Sequence, residues 1–313
     1  MTEKDSQLKG IVLVLLAAIF WAGAGTLAQF LFQENGFSIE WLVDQRLLLA
    51  GGLLLLLNYR KEHERIWSIW KSKHDVISIL LFSIVGMVAV QYTYFAAIKH
   101  GNAATATVLQ YLSPVIIVAY VVFRNQKLPN LNEVISVLLA VFGTILLVTH
   151  GQFTGLSISG KALFWGITSA FALAFYTLYP VKLLARYGST VVVGWGMLIG
   201  GIAFSFVHPP WKFEGTWSIL SFSSFVYIII FGTLLAFFFF LESFRYVKPT
   251  VASVLACVEP LTASVLSVLF LDVSFGGPEW IGTFFILSTI FISAKKPKKK
   301  RVINSSIEED YIE

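Results

Sequence analysis

Charge and sulfur are both scarce in this chain. Asp, Glu, Lys and Arg make up only 13% of its 313 residues, against roughly 25% in soluble domains, so a soluble globular fold is excluded. The single cysteine, Cys257, sits inside an apolar run, which removes disulfide frameworks and cysteine-based metal sites. The five histidines, at 63, 74, 100, 150 and 208, lie in or beside loops without the spacing of metal ligands. No P-loop, HExxH or GxSxG pattern occurs. The residues therefore point to no enzyme, no cofactor and no metal.

Hydrophobicity is what the chain has in abundance: 57% of residues, with a mean hydropathy of +0.76. A membrane crossing takes about 20 apolar residues. Apolar runs lie near 10–32, 41–59, 76–98, 103–123, 132–149, 161–180, 189–207, 222–244, 250–271 and 279–294. The fifth and tenth are short, and the second and ninth carry ionisable residues, so hydropathy alone leaves eight or nine spans open. Charge decides for ten. With the N-terminus inside, nineteen of the 23 Lys and Arg residues fall in inside segments, and only Lys99, Lys161 and Lys212 fall outside. The remaining one, Arg46, is within the second span. This asymmetry obeys the positive-inside rule. The expectation is an all-α polytopic plasma-membrane protein of ten transmembrane helices with cytoplasmic termini.

In that setting the net charge of +5 and the basic cluster from Lys295 to Arg301 indicate contact with an anionic leaflet, not nucleic acid. The first run, about 22 residues long, exceeds a signal-peptide core and is read as retained. Ile66, Trp67, Ile69 and Trp70 predict a short anchoring helix in the interface.

An internal repeat is visible. Ala106-Thr107-Val108-Leu109 followed by Pro114 recurs as Ala252-Ser253-Val254-Leu255 followed by Pro260, at an offset of 146. The same offset lays Tyr92 to Phe95 on Phe238 to Leu241 and Lys99 on Arg245. Near offset 150, Gly10 and Ala50-Gly51 meet Gly160 and Gly200-Gly201, a weaker match. Five spans separate the copies, an odd number, so they cross the membrane in opposite senses. The chain is read as two inverted five-helix repeats, 1–150 and 151–294, followed by a basic then acidic tail, 295–313. Such halves exchange inward-open and outward-open states around a midplane site.

These features resemble the EamA branch of the drug/metabolite transporter superfamily over residues 8 to 296. The resemblance rests on the five-plus-five plan, Phe20-Trp21-Ala22 in the first span, Arg46 in the second, the pattern of 103–114, and Val258-Glu259-Pro260 in the ninth. Gln126 and Asp272 depart from the glutamates usual after the fourth and ninth spans. The resemblance implies a plasma-membrane carrier that moves small metabolites, often exporting amino acids, through a cavity between the repeats.

Polar residues inside the membrane are costly and mark candidate sites. Glu259 lies near a midplane, beyond easy reach of either surface, and Pro260 leaves the carbonyl of Ala256 short of a donor. It is read either as a protonation switch or substrate-ammonium partner, or as a neutral acid bonded to a neighbouring helix. Arg46 either snorkels or closes an outer gate. Asp44, two residues away, points to the opposite side. Gln91 and Tyr94 share one face, as do Thr107, Gln110 and Pro114. Gln91, Tyr94 and Gln110 are substrate-binding candidates, with interhelical hydrogen bonding as the other reading for the two glutamines. Trp21 and Tyr176, deep in their spans, are candidate cavity walls. Glu242 and Arg245 are spaced to pair with each other. Gly196 and Gly200 suit close helix approach.

Together these point to a secondary active transporter, an exporter of small metabolites such as amino acids, working by alternating access with protons as coupling partner. A polytopic membrane enzyme or lipid-handling protein is the other class. Homodimer formation is left open.

Overall fold

The structure is a computed structural model that describes residues 3–101, 103–113, 116–117, 120, 123–124, 131–149, 159–262 and 276–294. All regular structure among them is helical. We number the helices α1 (Glu3–Gln33), α2 (Ile39–Ser68), α3 (Lys73–His100), α4 (Ala103–Gln110), α5 (Leu131–Thr149), α6 (Gly160–Tyr187, with a turn at 179–180), α7 (Ser189–Phe204), α8 (Ile219–Ser243), α9 (Pro249–Leu255) and α10 (Gly277–Ala294). Four stretches are long and apolar enough to span a bilayer: Asp5–Gln33, Lys73–His100, Gly160–Tyr187 and Ile219–Ser243. At 1.5 Å per residue, each of these 25- to 29-residue helices exceeds the roughly 30 Å hydrocarbon core. The protein is thus a multi-pass membrane protein. Pro114, Gln126 and Asp272, the end of the ninth apolar run and the 295–313 tail lie outside the described residues.

Helix starts follow from local chemistry. Ser38, Ser72, Ser159 and Ser218 each sit in extended backbone and accept from a backbone N–H one turn on, at Trp41, Asp75, Ala162 and Ser221. This satisfies a donor the helix itself cannot. Ser72 and Ser218 are 146 residues apart, the offset of the sequence repeat. Two π turns, Phe82–Val88 in α3 and Ile230–Leu235 in α8, lie at nearly the same offset. Packing is reciprocal in the same sense: α1 lies against α8, α3 against α6, α2 against α7 and α5 against α10.

The α2–α7 seam is set by glycine. A Cβ on Gly51 would stand 2.5 Å from the Leu198 nitrogen, and one on Gly201 would stand 2.9 Å from the Leu48 nitrogen, so backbones meet directly there. On another side of α7, Gly200 meets the Ser83 carbonyl of the first π turn and Gly196 makes room for the Phe82 ring.

One expected element differs. Ile66 to Trp70 is not a separate interfacial helix, because α2 runs on through it and into a short 3-10 turn, Ile69–Lys71. Ile66 and Ile69 are buried in the core, while Trp67 and Trp70 pack edge-on against Trp195, whose indole N–H donates to the Ile66 carbonyl. Tertiary burial of the two isoleucines holds the segment in line.

The helix ends define two faces. On the basic face, Lys9 lies over the Tyr246 ring, Arg245 pairs with Glu242 at 2.8 Å, and Asp75 accepts from Arg186 at 2.5 Å and Tyr187 at 2.6 Å. On the aromatic face, Phe37, Trp41, Phe213 and Trp217 interlock with ring centroids 4.8–5.9 Å apart.

Candidate functional site

Between these faces lies a cavity walled by α1, α2, α3, α4, α6, α8, α9 and the turn after α9. Its atom-free space, mouth included, is about 710 Å³, within the range of small-molecule sites. Trp21, Gln91, Tyr94, Gln110 and Glu259 all line it, and so does Arg46. Residues far apart in sequence are thereby brought together from both halves of the chain. Tyr176 is the exception among the sequence candidates. It is fully buried behind the wall, stacked with Phe82 and Phe240 and edge-on to Phe237. Its neighbour Thr177 takes the cavity position.

Arg46 does not snorkel. It is 3% exposed, its Nε donates to Thr233 Oγ1 at 2.7 Å, its Nη2 donates to the Gly232 carbonyl at 3.3 Å, and its guanidinium lies 4.5 Å from the Phe95 ring centre. The π turn makes this possible. Its widened backbone frees the Gly232 carbonyl, while Thr233 donates back to Ile228, five residues earlier. Two of the five guanidinium N–H groups are spent in these bonds, which leaves donors for a ligand. Asp44 faces away, toward Ser205, as the two-residue spacing predicts.

Glu259 approaches Tyr111. The Tyr111 hydroxyl donates to the Ala256 carbonyl at 2.8 Å and lies 3.3 Å from the carboxyl of Glu259. Pro260 explains the first contact, since it cannot supply the donor that the Ala256 carbonyl would otherwise receive. The Glu259 N–H also turns to this carbonyl, at 2.9 Å. The notch expected at this proline is present and is filled by a phenol from α4's continuation. Neither Arg46 nor Glu259 belongs to a salt bridge among the described residues.

The remaining polar groups divide sharply. Gln110 donates to Ser169 at 2.7 Å and Tyr94 meets Thr107 at 3.1 Å, so both tie helices together while they line the wall. Trp21 Nε1, Thr177 Oγ1 and both amide atoms of Gln91 are buried with no protein partner. Buried polar atoms are ordinarily bonded, so this unpaired set, drawn from α1, α3 and α6, leaves hydrogen-bonding capacity around the cavity unused by the protein itself. Phe237 and Phe240, three residues apart on α8, pack on Trp21 with centroids 5.2 Å away and complete an aromatic side. That i, i+3 pair was available in the sequence but hidden in a run of four phenylalanines. Tyr111 and Thr177 carried no sequence signal, because their roles depend on which helices adjoin.

A multi-pass helical fold around a cavity lined by polar and aromatic groups is an architecture that membrane transporters use. The profile of the EamA-like transporter family matches residues 8–149 and 160–294, and the chain belongs to that family. The inner membrane transporter YicL of Salmonella typhimurium is 42% identical over 94% of this chain and 98% of its own length. The transporter YwfM of Bacillus subtilis is 25% identical over 94% and 96%. The WAT1-related protein At3g02690 of Arabidopsis thaliana is 24% identical over 69% of this chain and 54% of its own length. A solved crystal structure has the same fold, with a TM-score of 0.73 over 93% of this chain and 98% of that chain at 17% identity.

Proposed function

We propose that the protein is a secondary active transporter of the plasma membrane that exports small zwitterionic metabolites, amino acids foremost, by alternating access. The observation that carries this reading is the cavity's pair of ionisable groups: Arg46 and Glu259 line one space without pairing to each other. Burying two such groups unpaired is costly, and a zwitterion offsets that cost by bringing its carboxylate to Arg46 and its ammonium to Glu259. Gln91, Trp21 and Thr177 supply further donors and acceptors, and Phe237 and Phe240 receive an apolar side chain.

Ten spans as two inverted repeats, 1–150 and 151–294, are supported by the matched caps, the matched π turns and the reciprocal helix pairing. The charge distribution supports cytoplasmic termini and an inward orientation of the basic face. The direction of transport rests on the family resemblance. Protons drive the cycle through Glu259.

Uptake into proteoliposomes from labelled amino-acid, nucleoside and sugar pools, with and without a pH gradient, tests the reading. The amino-acid pool is expected to move, with the wild type responding to the gradient and Glu259→Gln not. If folded protein moves no pool at all, the reading fails and a lipid-handling or enzymatic role replaces it.

A further inference from the structure

Outside the cavity, at the aromatic-face end of the α2–α7 seam, a second polar cluster serves no part in the scheme above. Asp44 is completely buried, and one carboxyl oxygen, Oδ2, has no protein partner. The other, Oδ1, lies 3.0 Å from the Ser205 hydroxyl, which lies 2.9 Å from the Gly201 carbonyl. His208, three residues beyond Ser205 on the same segment, has both ring nitrogens buried without a partner.

The count of hydrogens is informative. A serine hydroxyl has one proton and two candidate acceptors here. On a helix it ordinarily returns that proton to the carbonyl four residues back, which is Gly201. With Asp44 ionised, that one proton is shared between the Gly201 carbonyl and Asp44 Oδ1, and Oδ2 is left bare. A proton on Asp44 ends the sharing: the carboxyl donates to Ser205, and Ser205 donates to Gly201. The neutral acid also removes the problem of a buried carboxylate with one oxygen unpaired.

We propose that Asp44, Ser205 and His208 form a proton-binding site at the outer end of the seam, separate from the cavity and independent of its cargo. Asp44 holds the proton while the seam is closed. When the seam loosens, the O–H bond of Asp44 breaks and an N–H bond forms on His208, giving a carboxylate and an imidazolium that water then separates. Among the described residues, the other charges of α2 near Asp44 are engaged elsewhere. On α2, Glu40 is engaged by the Tyr92 hydroxyl of α3 and Arg46 is turned to α8. From α7 and its following loop, the titratable group that faces Asp44 is His208, and the loop is tied to α2 by the Pro210 carbonyl, which accepts from Trp41 and Gln45.

Infrared spectroscopy of the full chain in lipid nanodiscs, titrated with pH, reads the carbonyl stretch of a protonated carboxyl directly. The wild type is expected to show such a band that disappears in Asp44→Asn and persists in Glu259→Gln. In His208→Gln the pH at which it vanishes moves by about one unit, as expected when a neighbouring charge partner is removed. A spectrum that Asp44→Asn leaves unchanged at every pH overturns the site, as does a titration indifferent to His208→Gln. Because the readout needs no transport, its failure is distinguishable from failure of the cargo assignment.

Discussion

The starts of α3 and α8 are built alike and finished differently. Ser72 and Ser218 cap them with the same geometry, and the residue three on is Asp75 in one and Ser221 in the other. The carboxylate of Asp75 reaches across to Arg186 and Tyr187 and clamps the two halves of the chain together on the basic face. The Ser221 hydroxyl bonds only within its own segment, to Ser218 and the Thr216 carbonyl. That face is closed instead by interlocked rings and by the indole N–H of Trp41 on the Pro210 carbonyl at 2.9 Å. One helical module thus seals two faces by different forces. Charge gives a short-range latch that water and salt weaken once it opens, whereas aromatic area gives a contact little affected by either.

The comparison is most severely tested at Trp41. Trp41→Ala removes a large buried ring and a hydrogen bond together, and is expected to cost about 3–5 kcal/mol in thermal or denaturant melts of the detergent-solubilised protein. A small loss there would mean that the aromatic face is held instead by the hydrogen bonds between Asn35 and Thr216, one of them backbone to backbone.

Asp75→Asn sharpens the contrast on the other face. With Cys257→Ala as background and a cysteine at Ser253 in the cavity wall, an impermeant thiol reagent applied from the basic face is expected to label about two- to fivefold faster once the latch is neutral, the population change that a partly exposed ion pair supports. Unchanged labelling would assign closure of that face to another contact.

Ser218→Ala should cost about 1 kcal/mol, the ordinary value of a helix cap, with no change in labelling from the basic face. An opening there would show that the two faces are coupled. The smallest effect is at Gly52, where a Cβ meets nothing within 4 Å. Gly52→Ala is expected to be neutral or to stabilise α2 by up to about 1 kcal/mol, while Gly51→Ala must push α7 away and lowers the melting temperature.

Much of this was legible in the sequence because it depends on local periodicity and composition. Apolar runs, caps and the 146-residue offset need only neighbours in the chain. Trp21, Gln91, Tyr94, Gln110 and Glu259 were found because polar groups in apolar helices are rare enough to stand out. The wall position of Thr177 and the burial of Tyr176 behind it were not legible. The two are adjacent on α6, and about 100° of helix rotation separates a cavity residue from a core residue.

The sequence by itself determined a multi-pass helical chain, since a bilayer permits few other solutions for so apolar a polypeptide. Tertiary structure alone decided which of two neighbouring groups does what. Gly51 and Gly52 are identical in sequence terms, yet only the first lets α2 touch α7. Asp44 and Arg46 are both buried ionisable residues of one helix, yet one meets a serine at the seam and the other a π turn at the cavity. Packing makes these choices because a side chain's partners lie on other helices, at distances in space that distance along the chain does not encode.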